Sequence, residues 1–459
     1  MPILGPRLVV AGTHSGVGKT TVTTGLLAAL RAAGHRPAAA KVGPDFIDPG
    51  YHALACGRPP RNLDAWLCGA PAIGPLAARA GEGADALVVE GVMGMFDGAA
   101  DGTPSSTADV ARILDAPVLL VVDAEAMAGS VAAVVHGFAT LDPAVRLAGV
   151  VLNRVASDGH EAMLREAIAP TGITVLGALR RDDRLVWRDR HLGLVPVAED
   201  PAGVAQAVAA LAVAVAERVD LSAVVTLAEA APRRAVGPVA LPSSAPAVRV
   251  AVAAGRAFTF TYTDTLDALR AGGAEVVPFD PLDDEQLPDP LDGLIVGGGF
   301  PEVHAARLAG NEPLLAAVRH AVGAGVPTWA ECGGLLWLTR SVDGRPMAGI
   351  VPASARMTDQ LTLGYREATV TVPSPLGPAG TRLRAHEFHY AMVDPAGDAL
   401  DVRSRFGRGR AGFAGRTLLA SFLHHHPGGD PSAVVAFLAA CRARGGQPIQ
   451  SQSRQRNSM

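Results

Sequence analysis

The chain has 459 residues, which is more than one ordinary hydrophobic core accommodates and predicts two or three domains. A net charge of -4 does not indicate nucleic-acid binding, and the four widely separated cysteines form neither a zinc pattern nor a dense disulfide framework. The N-terminus carries no signal-peptide pattern, and no apolar run of roughly 18 residues lacks turn-formers and charges. We therefore expect a cytoplasmic protein without a membrane span or a nucleic-acid partner.

The first half of the chain alternates short apolar runs with Ala- and Leu-rich stretches. The apolar runs are RLVVAG, RPAAAKVG, ADALVVEGV, PVLLVVDA and LAGVVLNRV. They are apolar on both faces, as buried parallel strands are. The stretch TTVTTGLLAALRAAG predicts a helix that ends at Gly34. The alternation predicts an α/β domain with a parallel sheet over residues 1–230.

The segment AGTHSGVGKTT follows the first strand and opens the first helix, which is the context of a phosphate-binding P-loop. Lys19 would reach the outer phosphates of a nucleotide, and the amide of Asn153, after the fifth strand, could bind the Watson–Crick edge of a purine. Gly12 and Gly18 enclose five residues instead of the usual four, so the loop is a variant; a glycine-rich turn without a ligand is the alternative. The predicted nucleotide-binding residues are Gly12, Gly16, Gly18, Lys19, Thr20, Thr21 and Asn153.

Four carboxylates follow the second and third strands. KVGPDFIDPGYH contains Asp45 and Asp48, and VVEGVMGMFDG contains Glu90 and Asp97. Carboxylates at the carboxyl ends of parallel strands lie where Mg-nucleotide and substrate meet. We predict that Asp45 and Asp48 face the acceptor and that Thr20, Glu90 and Asp97 bind Mg²⁺; each carboxylate could instead be a turn residue or a helix cap.

The second half of the chain begins after a segment rich in Pro, Ala and Ser, which predicts a linker over residues 231–247. A second strand–helix series follows with VRVAVAAG, AEVVPFD, DGLIVGGG and VPTWAECGG, and the last part, from TVTVPSPLG to RTLLASFLH, indicates mainly β-strands. These elements predict a second α/β domain over residues 248–441 and a disordered tail over residues 442–459.

Cys332 follows an apolar run in AECGG, which predicts a strand-to-helix turn with the geometry of a nucleophile elbow. Such a turn exposes the side chain, and the N-terminus of the following helix would lower the pKa of the thiol. A small buried cysteine that packs the turn is the alternative. Upstream, GLIVGGGFPE brings backbone amides to a second strand end, and we predict an oxyanion and glutamine pocket from Gly298, Gly299 and Gly333.

Two sets of motifs resemble known families. The first set resembles the class I glutamine amidotransferase domain and consists of GLIVGGGFPE, AECGG and a late Ser-Phe-Leu-His. The second set belongs to the P-loop domain and consists of GTHSGVGKTT, KVGPDFIDPGYH, EGVMGMFDG and RDDRLVWRDRHLGLVP. Together the two sets resemble the cobyrinate and hydrogenobyrinate a,c-diamide synthase family of cobalamin biosynthesis, over about residues 7–430. AHEFHY, with His386 and His389, matches a further family segment. The first domain is also similar to dethiobiotin synthetase, whose loop has the same spacing.

The resemblance implies an ATP-dependent carbon–nitrogen ligase that uses L-glutamine. Glutamine would be hydrolysed at Cys332 through a γ-glutamyl thioester, and ammonia would pass internally to the first domain. There MgATP would phosphorylate a carboxylate of a tetrapyrrole, and ammonia would displace the phosphate. The a and c side chains of hydrogenobyrinate or cobyrinate would be amidated in turn, by a monomer or a homodimer.

The run LLASFLHHHPGG contains three adjacent histidines. His424 follows Ser-Phe-Leu, where the resemblance places the general base for Cys332. Class I domains usually carry Glu two residues after this base; here His426 stands there and no Glu is expected close by, which implies a Cys–His dyad and slower glutaminase activity. Side chains alternate along a strand, so His425 is expected at the surface and His426 beside His424. A zinc site lacks a third ligand.

Other functions share parts of this pattern. Cobyric acid synthase and the synthase that amidates nickel-sirohydrochlorin have the same architecture, and the residues do not distinguish a cobalt-containing from a cobalt-free substrate. A non-enzymatic alternative is a partitioning or scaffold ATPase with an inactive amidotransferase domain. Such ATPases usually carry an additional lysine early in the loop, where Thr13 and His14 stand here, and the intact Cys332 and His424 also argue against it.

Overall fold

The computed structural model describes residues 1–99, 101–182, 189–190 and 193–445. The chain divides into two compact units: Met1–Ala240 with Tyr262–Asp264, and Leu241–Thr261 with the described residues from Thr265 onward. The division after Ala240 lies within residues 231–247, the predicted linker. Residues 183–188 and 191–192 of RDDRLVWRDRHLGLVP, and residues 446–459 of the predicted tail, lie outside the described residues.

The elements of the first unit follow in chain order. The strands are β1 (Ile3–Leu4), β2 (Arg7–Gly12), β3 (Pro37–Val42), β4 (Arg61–Leu63), β5 (Ala86–Glu90), β6 (Val118–Asp123), β7 (Leu147–Val155), β8 (Val175–Arg180), β9 (Asp189–Arg190), β10 (Gly193–Leu194) and β11 (Arg234–Ala235). The helices are α1 (Lys19–Ala32), α2 (Asp48–Cys56), α3 (Ala65–Cys68), α4 (Ala70–Ala80), α5 (Thr107–Leu114), α6 (Val131–Thr140), α7 (Asp158–Ile168), α8 (Pro201–Arg218) and α9 (Leu221–Glu229).

Seven parallel strands form the sheet of the first unit in the order β4-β3-β5-β2-β6-β7-β8. Every residue of β2, β3 and β5 is buried. Burial on both faces is the reason why these strands are apolar throughout instead of alternating. The five predicted strands are β2, β3, β5, β6 and β7, and the predicted α/β fold is confirmed. The sheet edges β4 and β8 were not predicted, because β4 has only three residues and two of them are polar.

The first helix begins at Lys19, directly after the P-loop. Gly18 precedes it with a φ of 98°, in the left-handed region that favours glycine. The helix ends at Ala32, and Gly34 follows with a φ of 91°, so the predicted helix stop is confirmed. The carboxyl end of β2 therefore delivers the loop directly to a helix N-terminus.

The elements after residue 240 also follow in chain order. The strands are β12 (Val248–Ala253), β13 (Ala274–Phe279), β14 (Gly293–Val296), β15 (Thr328–Glu331), β16 (Ser341–Val342), β17 (Arg345–Pro346), β18 (Ser354–Val370), β19 (Arg382–Asp394), β20 (Leu400–Ser404), β21 (Gly407–Ala411), β22 (Phe413–Gly415), β23 (Leu418–Ser421) and β24 (His424–His425). The helices are α10 (Thr263–Ala271), α11 (Ala305–Gly310), α12 (Glu312–Gly323), α13 (Gly333–Leu338) and α14 (Ser432–Arg444). The last helix thus continues three residues beyond the predicted domain end at 441.

Two sheets build the second unit. One has the order β13-β12-β14-β15-β23-β22 and is parallel except for β22, which runs antiparallel to β23. The other contains β16 to β21 and β24, with long antiparallel strands β18 and β19 at its centre. The predicted strand–helix series followed by strands is confirmed. Because β14, β15 and β23 are parallel neighbours, the loops at their carboxyl ends lie side by side.

No helix in the described part of the chain is both long and apolar enough to cross a membrane.

Candidate active sites

The P-loop of the first unit is closely packed against its surroundings. A side chain at Gly12 would come within 2.9 Å of the Lys19 side chain, and one at Gly18 would collide with the Asn153 amide. Gly16 has a φ of 81° and open space around it. Thr21, also predicted to bind nucleotide, lies in the first turn of α1 and is half-buried. These glycines therefore allow a tight loop whose backbone a phosphate can approach.

Lys19 lies within this loop and is buried. Its ammonium donates to the backbone oxygens of Met93 at 2.6 Å and His14 at 3.1 Å. Burial, followed by repulsion from Lys41, lowers the pKa of Lys19 to about 8. The ammonium is thus held by two neutral carbonyls, which a phosphate group can replace as a stronger, charged acceptor.

Thr20 joins two of the predicted carboxylates. Its hydroxyl donates to Glu90 Oε1 at 2.7 Å and lies 3.2 Å from Asp48 Oδ2. The structure therefore brings together the P-loop, the end of β5 and the start of α2, as the sequence predicted for the carboxyl edge of this sheet.

The other two carboxylates are engaged by their own turns. Asp45 Oδ1 accepts from the backbone N–H groups of Ile47 and Asp48 at 2.8 and 3.0 Å. Asp97 Oδ2 accepts from the N–H of Gly94 at 2.8 Å. Both contacts are the turn and cap roles that the sequence left open as alternatives. The predicted metal role of Asp97 and acceptor role of Asp45 stay predictions.

Lys41 and His52 complete this cluster and were not singled out from the sequence. The Lys41 ammonium lies 2.7 Å from Asp48 Oδ2 and donates to Glu90 Oε1 at 2.8 Å. His52 Nε2 lies 2.6 Å from Glu90 Oε2, and both side chains are fully buried. A lysine inside the otherwise apolar strand β3 was the available signal, because an unpartnered ammonium is not buried in a core.

The charges of the cluster compensate one another. Burial alone would raise the pKa of Glu90, but Lys41 and His52 outweigh it and hold this pKa well below its usual range. Burial, and then Asp45, raise the pKa of Asp48 despite the attraction of Lys41. Glu90, which is fully buried, is therefore the ionised member of the pair, and Asp48 is half-buried.

The donors at this edge fit magnesium. Thr20 and Glu90 offer a hydroxyl and a carboxylate oxygen, and Mg²⁺ takes few protein oxygens and keeps water and phosphate ligands. Among the described residues, no group of three or more His, Cys, Asp and Glu side chains is arranged to hold a metal alone. A site completed by nucleotide phosphates agrees with both observations.

Asn153 lies at the carboxyl end of β7 and contacts the P-loop. Its amide Nδ2 donates to the backbone oxygen of Val17 at 3.0 Å. The contact places the side chain on the nucleotide-facing edge of the sheet. Recognition of a purine by its Watson–Crick edge stays a prediction.

In the second unit Cys332 stands between β15 and α13 with φ 49° and ψ −104°. A positive φ at a residue other than glycine marks a strained turn, and the predicted nucleophile elbow is present. The backbone N–H of Cys332 donates to the oxygen of Ser421 at 2.8 Å, which ties the elbow to the end of β23. The side chain is buried, with 5% of its surface exposed, contrary to the exposed thiol that we predicted.

The predicted effect on the thiol is wrong in sign. Burial, and then the carboxylates of Glu302, Glu387 and Glu331, raise the pKa of Cys332 well above its usual range. The following helix has only six residues, so its N-terminus does not offset the loss of solvation. Cys332 therefore rests as a neutral thiol and needs a base.

The predicted pocket glycines lie together. A side chain at Gly333 would come within 2.9 Å of the Gly299 backbone nitrogen, and one at Gly298 would strike the His424 imidazole. Gly299 has a φ of 155° and faces the oxygen of Ala257, which leaves no room for a side chain. Both glycine turns and the histidine thus meet in one place, and their role as an oxyanion and glutamine pocket stays a prediction.

His424 has a carboxylate neighbour that the sequence analysis missed. Its Nδ1 lies 3.5 Å from Glu331 Oε2, so the expectation that no Glu lies close by is wrong. Spacing along the chain does not reveal Glu331, because it reaches His424 from β15 through the pairing of β15 with β23. The signal was in AECGG, where Glu331 directly precedes Cys332.

The other two histidines of the run have structural contacts. His425 is only 9% exposed, and its Nδ1 lies 3.0 Å from the oxygen of Arg384, so the expected surface position is wrong. His425 pairs with Ala385 of β19 at the edge of the second sheet, and its ring lies against Trp329 of β15 in the other sheet, with 6.4 Å between the ring centroids. His426 is also buried, and its Nδ1 accepts from the N–H of Gly428 at 3.0 Å.

The segment AHEFHY forms part of β19 and lies beside the thiol site. The Cys332 Sγ is 3.9 Å from the backbone oxygen of Phe388. Glu387 accepts from Arg366 Nε at 2.7 Å and lies 3.0 Å from His389 Nε2. Burial, and then His424, lower the pKa of His386 to about 3, so this imidazole is neutral.

Two family models match the chain. The CobQ/CobB/MinD/ParA nucleotide binding domain matches residues 8–194, and the CobB/CobQ-like glutamine amidotransferase domain matches residues 249–431. The first range contains the P-loop and the carboxylate cluster, and the second contains the elbow and the histidines.

Relatives are similar along both units. Hydrogenobyrinate a,c-diamide synthase of Streptomyces coelicolor is 49% identical over 95% of this chain and 98% of its own length. The protein of the same name from Mycobacterium tuberculosis H37Rv is 49% identical over 94% of this chain and 97% of its own. Cobyrinate a,c-diamide synthase of a Synechococcus species is 42% identical over 95% and 98%.

Proposed function

Since the chain belongs to the hydrogenobyrinate and cobyrinate a,c-diamide synthase family, we propose that it amidates the a and c side-chain carboxylates of hydrogenobyrinate with ammonia from L-glutamine. The chain is an ATP-dependent, glutamine-using ligase of cobalamin biosynthesis, with a nucleotide-binding domain and a glutamine amidotransferase domain. The observation that carries the proposal is the presence of a carboxylate-lined P-loop in one unit and a Cys332–His424 pocket in the other.

The cobalt-free substrate is favoured by the degree of similarity. The hydrogenobyrinate relative from Streptomyces coelicolor is 49% identical, whereas the cobyrinate relative from Synechococcus is 42% identical. The cytoplasmic location and the monomeric or dimeric state stay predictions.

In the first unit, ATP would be bound by the P-loop with Lys19 on its outer phosphates. Attack of a substrate carboxylate on the γ-phosphorus releases ADP and gives an acyl phosphate, and attack of ammonia then forms the amide and releases phosphate. Magnesium, held by Thr20 and Glu90, would neutralise charge on the transferring phosphoryl group. Lys41 keeps Glu90 ionised for this role, and Asp48 beside it faces the acceptor.

In the second unit, the thiol proton of Cys332 passes to His424 as sulfur attacks the amide carbon of glutamine. Backbone amides of the Gly298–Gly299 turn and of Gly333 stabilise the oxyanion. The imidazolium returns its proton to the leaving ammonia, and water then cleaves the γ-glutamyl thioester to glutamate. The neutral resting thiol requires this proton transfer, which is why the base is indispensable.

Product analysis by mass spectrometry tests the proposal. The enzyme is incubated with ATP, magnesium and glutamine labelled with ¹⁵N in its side-chain amide, and with hydrogenobyrinate, cobyrinate or nickel-sirohydrochlorin in turn. We expect hydrogenobyrinate to gain two labelled amides with two ADP formed. Absence of a diamide from every tetrapyrrole would overturn the proposal.

The same measurement separates the related reactions. Turnover of cobyrinate alone would move the substrate to the cobalt-containing corrin, and turnover of nickel-sirohydrochlorin alone would assign the nickel branch. Amidation of the a,c-diamide at further side chains would instead indicate a cobyric acid synthase activity.

A further inference from the structure

We propose that Glu331 is a positioning residue that orients the His424 imidazole for the glutaminase reaction. It would take the place of the carboxylate that class I domains usually carry two residues after the histidine. The inference rests on the proposed roles of Cys332 and His424 and adds a third member to that pair.

The position of Glu331 is set by the backbone. It ends β15 directly before Cys332, and β15 pairs in parallel register with β23, where Glu331 stands opposite Ser421. The chain leaving β23 reaches β24, which begins at His424. The carboxylate and the nucleophile thus lie at the end of β15, and the imidazole stands at the start of β24, three residues after the neighbouring strand β23 ends.

Both oxygens of the carboxylate face the histidine segment. Oε1 accepts from the backbone N–H of His425 at 3.0 Å, and Oε2 lies 3.5 Å from Nδ1 of His424. The hydrogen bond from His425 fixes the orientation of the carboxylate, and Oε2 then lies beside the His424 imidazole. The distance of 3.5 Å exceeds that of a hydrogen bond, and catalytic contacts of this kind often tighten only when the substrate binds.

The opposite edge of the imidazole faces the glycine turn. A side chain built on Gly298 would lie 3.1 Å from Nε2 of His424 and still closer to Cε1. The ring is therefore held between the carboxylate at Nδ1 and the oxyanion turn at Nε2. Because His424 is only 2% exposed and Glu331 8% exposed, little solvent competes for this contact.

This arrangement has a defined chemical consequence. A carboxylate at Nδ1 keeps the ring proton on that nitrogen, which leaves the Nε2 lone pair available for the thiol proton. It also stabilises the imidazolium that forms when the proton arrives. The dyad implied by sequence thus becomes a triad whose acid is adjacent to the nucleophile and distant in sequence from the base.

The test separates orientation of the base from support of the fold. For Glu331→Gln we expect the kcat of glutamine hydrolysis to fall by about 10²-fold or more, because the lost orientation of His424 outweighs the easier ionisation of Cys332 that removal of this carboxylate also brings. The KM for glutamine should stay within about threefold, because the change affects the reacting groups. Glu331→Asp, which keeps the charge, should recover part of the lost kcat. Glu275→Gln, an exposed carboxylate of β13 in the same unit, is the matched control and should match the wild type.

Ammonia-dependent diamide synthesis is measured on every variant. It should be unchanged in Glu331→Gln, which also shows that the variant is folded. The inference would be overturned if Glu331→Gln kept the wild-type kcat or if Glu331→Asp had no higher kcat than Glu331→Gln. A parallel loss of ammonia-dependent activity would also overturn it. Cys332→Ala and His424→Ala test the underlying proposal separately: if they kept glutaminase activity, the proposed function of this pocket would fail whatever Glu331 does.

Discussion

The two candidate sites are built on the same principle of parallel strand ends, yet they hold charge in opposite ways. In the first unit, the ammonium of Lys41 lies within 2.8 Å of both Asp48 and Glu90, so buried negative charge is compensated at rest. In the second unit, burial and then the charges of Glu302, Glu387 and Glu331 oppose ionisation of the Cys332 thiol, which stays neutral at rest.

The difference teaches how each site meets its substrate. Nucleotide and metal bring charge with them, so a cluster with its own counter-ions remains ordered before they bind. Glutamine brings no net side-chain charge, and the thiol can stay neutral until the base removes its proton during attack.

The two sites are separated most clearly by inactivating each one in turn and comparing the glutamine-dependent and ammonia-dependent rates. Cys332→Ala should reduce glutamine-dependent diamide synthesis by at least about 10³-fold and leave ammonia-dependent synthesis near the wild-type rate. Lys19→Met should reduce both by a similar factor, because the phosphate contact serves either nitrogen source. The rates are measured as ADP formed with saturating glutamine or ammonium chloride. Loss of ammonia-dependent activity in Cys332→Ala would contradict two independent reactions.

The compensated charges of the first unit predict a cost to stability. Lys41→Met removes the counter-ion of the ionised, fully buried Glu90 and should lower the free energy of unfolding by about 3–5 kcal/mol. Arg36→Met breaks the solvent-exposed pair of Arg36 with Asp85 and should cost far less. Urea unfolding followed by circular dichroism measures the free energy of unfolding of both variants, taken from the transition of the first unit. Equal losses would show that Lys41 does not balance the cluster.

Crowding around the base gives a smaller, local effect. A methyl group at Gly298 would strike the His424 imidazole, so Gly298→Ala should lower glutaminase kcat by roughly 10²-fold through displacement of the base. Gly323→Ala, at a helix position with open space, is the matched control. Steady-state glutamate release measures both. A fully active Gly298→Ala would place His424 away from the reaction.

Local patterns predicted much of this molecule. The P-loop, the elbow at Cys332 and the strands β2, β3, β5, β6 and β7 each follow from residues adjacent in sequence. The role of Glu331 did not, because its neighbour His424 arrives through strand pairing and not through spacing. His425 was expected at the surface, since alternation along one strand does not reveal that Trp329 of the neighbouring sheet packs against its ring.

The raised pKa of the thiol was likewise beyond local reasoning. A cysteine before a helix predicts a lowered pKa, but the outcome depends on burial and on how many carboxylates the fold assembles around the sulfur. Two of the three that act on Cys332, Glu302 and Glu387, come from other segments of the chain. Lys41 is a similar case, because a lysine in an apolar strand indicates that an acidic partner is nearby but does not identify it as Glu90 or Asp48.

The smallest effect tests the charge around the thiol itself. A thiol with a raised pKa is protonated below that value, so each unit of pH gives about ten times more thiolate until the pKa is reached. Alkylation of Cys332 by iodoacetamide, followed by peptide mass spectrometry, should therefore rise about tenfold per pH unit from pH 7 to about 9 without a plateau. A plateau near pH 8 would instead indicate the stabilised thiolate that the helix N-terminus alone predicts.

Glu387→Gln should raise the alkylation rate at fixed pH by a few-fold, because it removes one of the carboxylates that oppose ionisation and leaves the Arg366 charge in place. Glu367→Gln, an exposed carboxylate of β18 outside this group, should leave the rate unchanged. An equal response of the two variants would mean that burial alone keeps the thiol neutral. The two sites would then differ in how burial alone sets their charge, and the carboxylates near Cys332 would position side chains without affecting the pKa of the thiol.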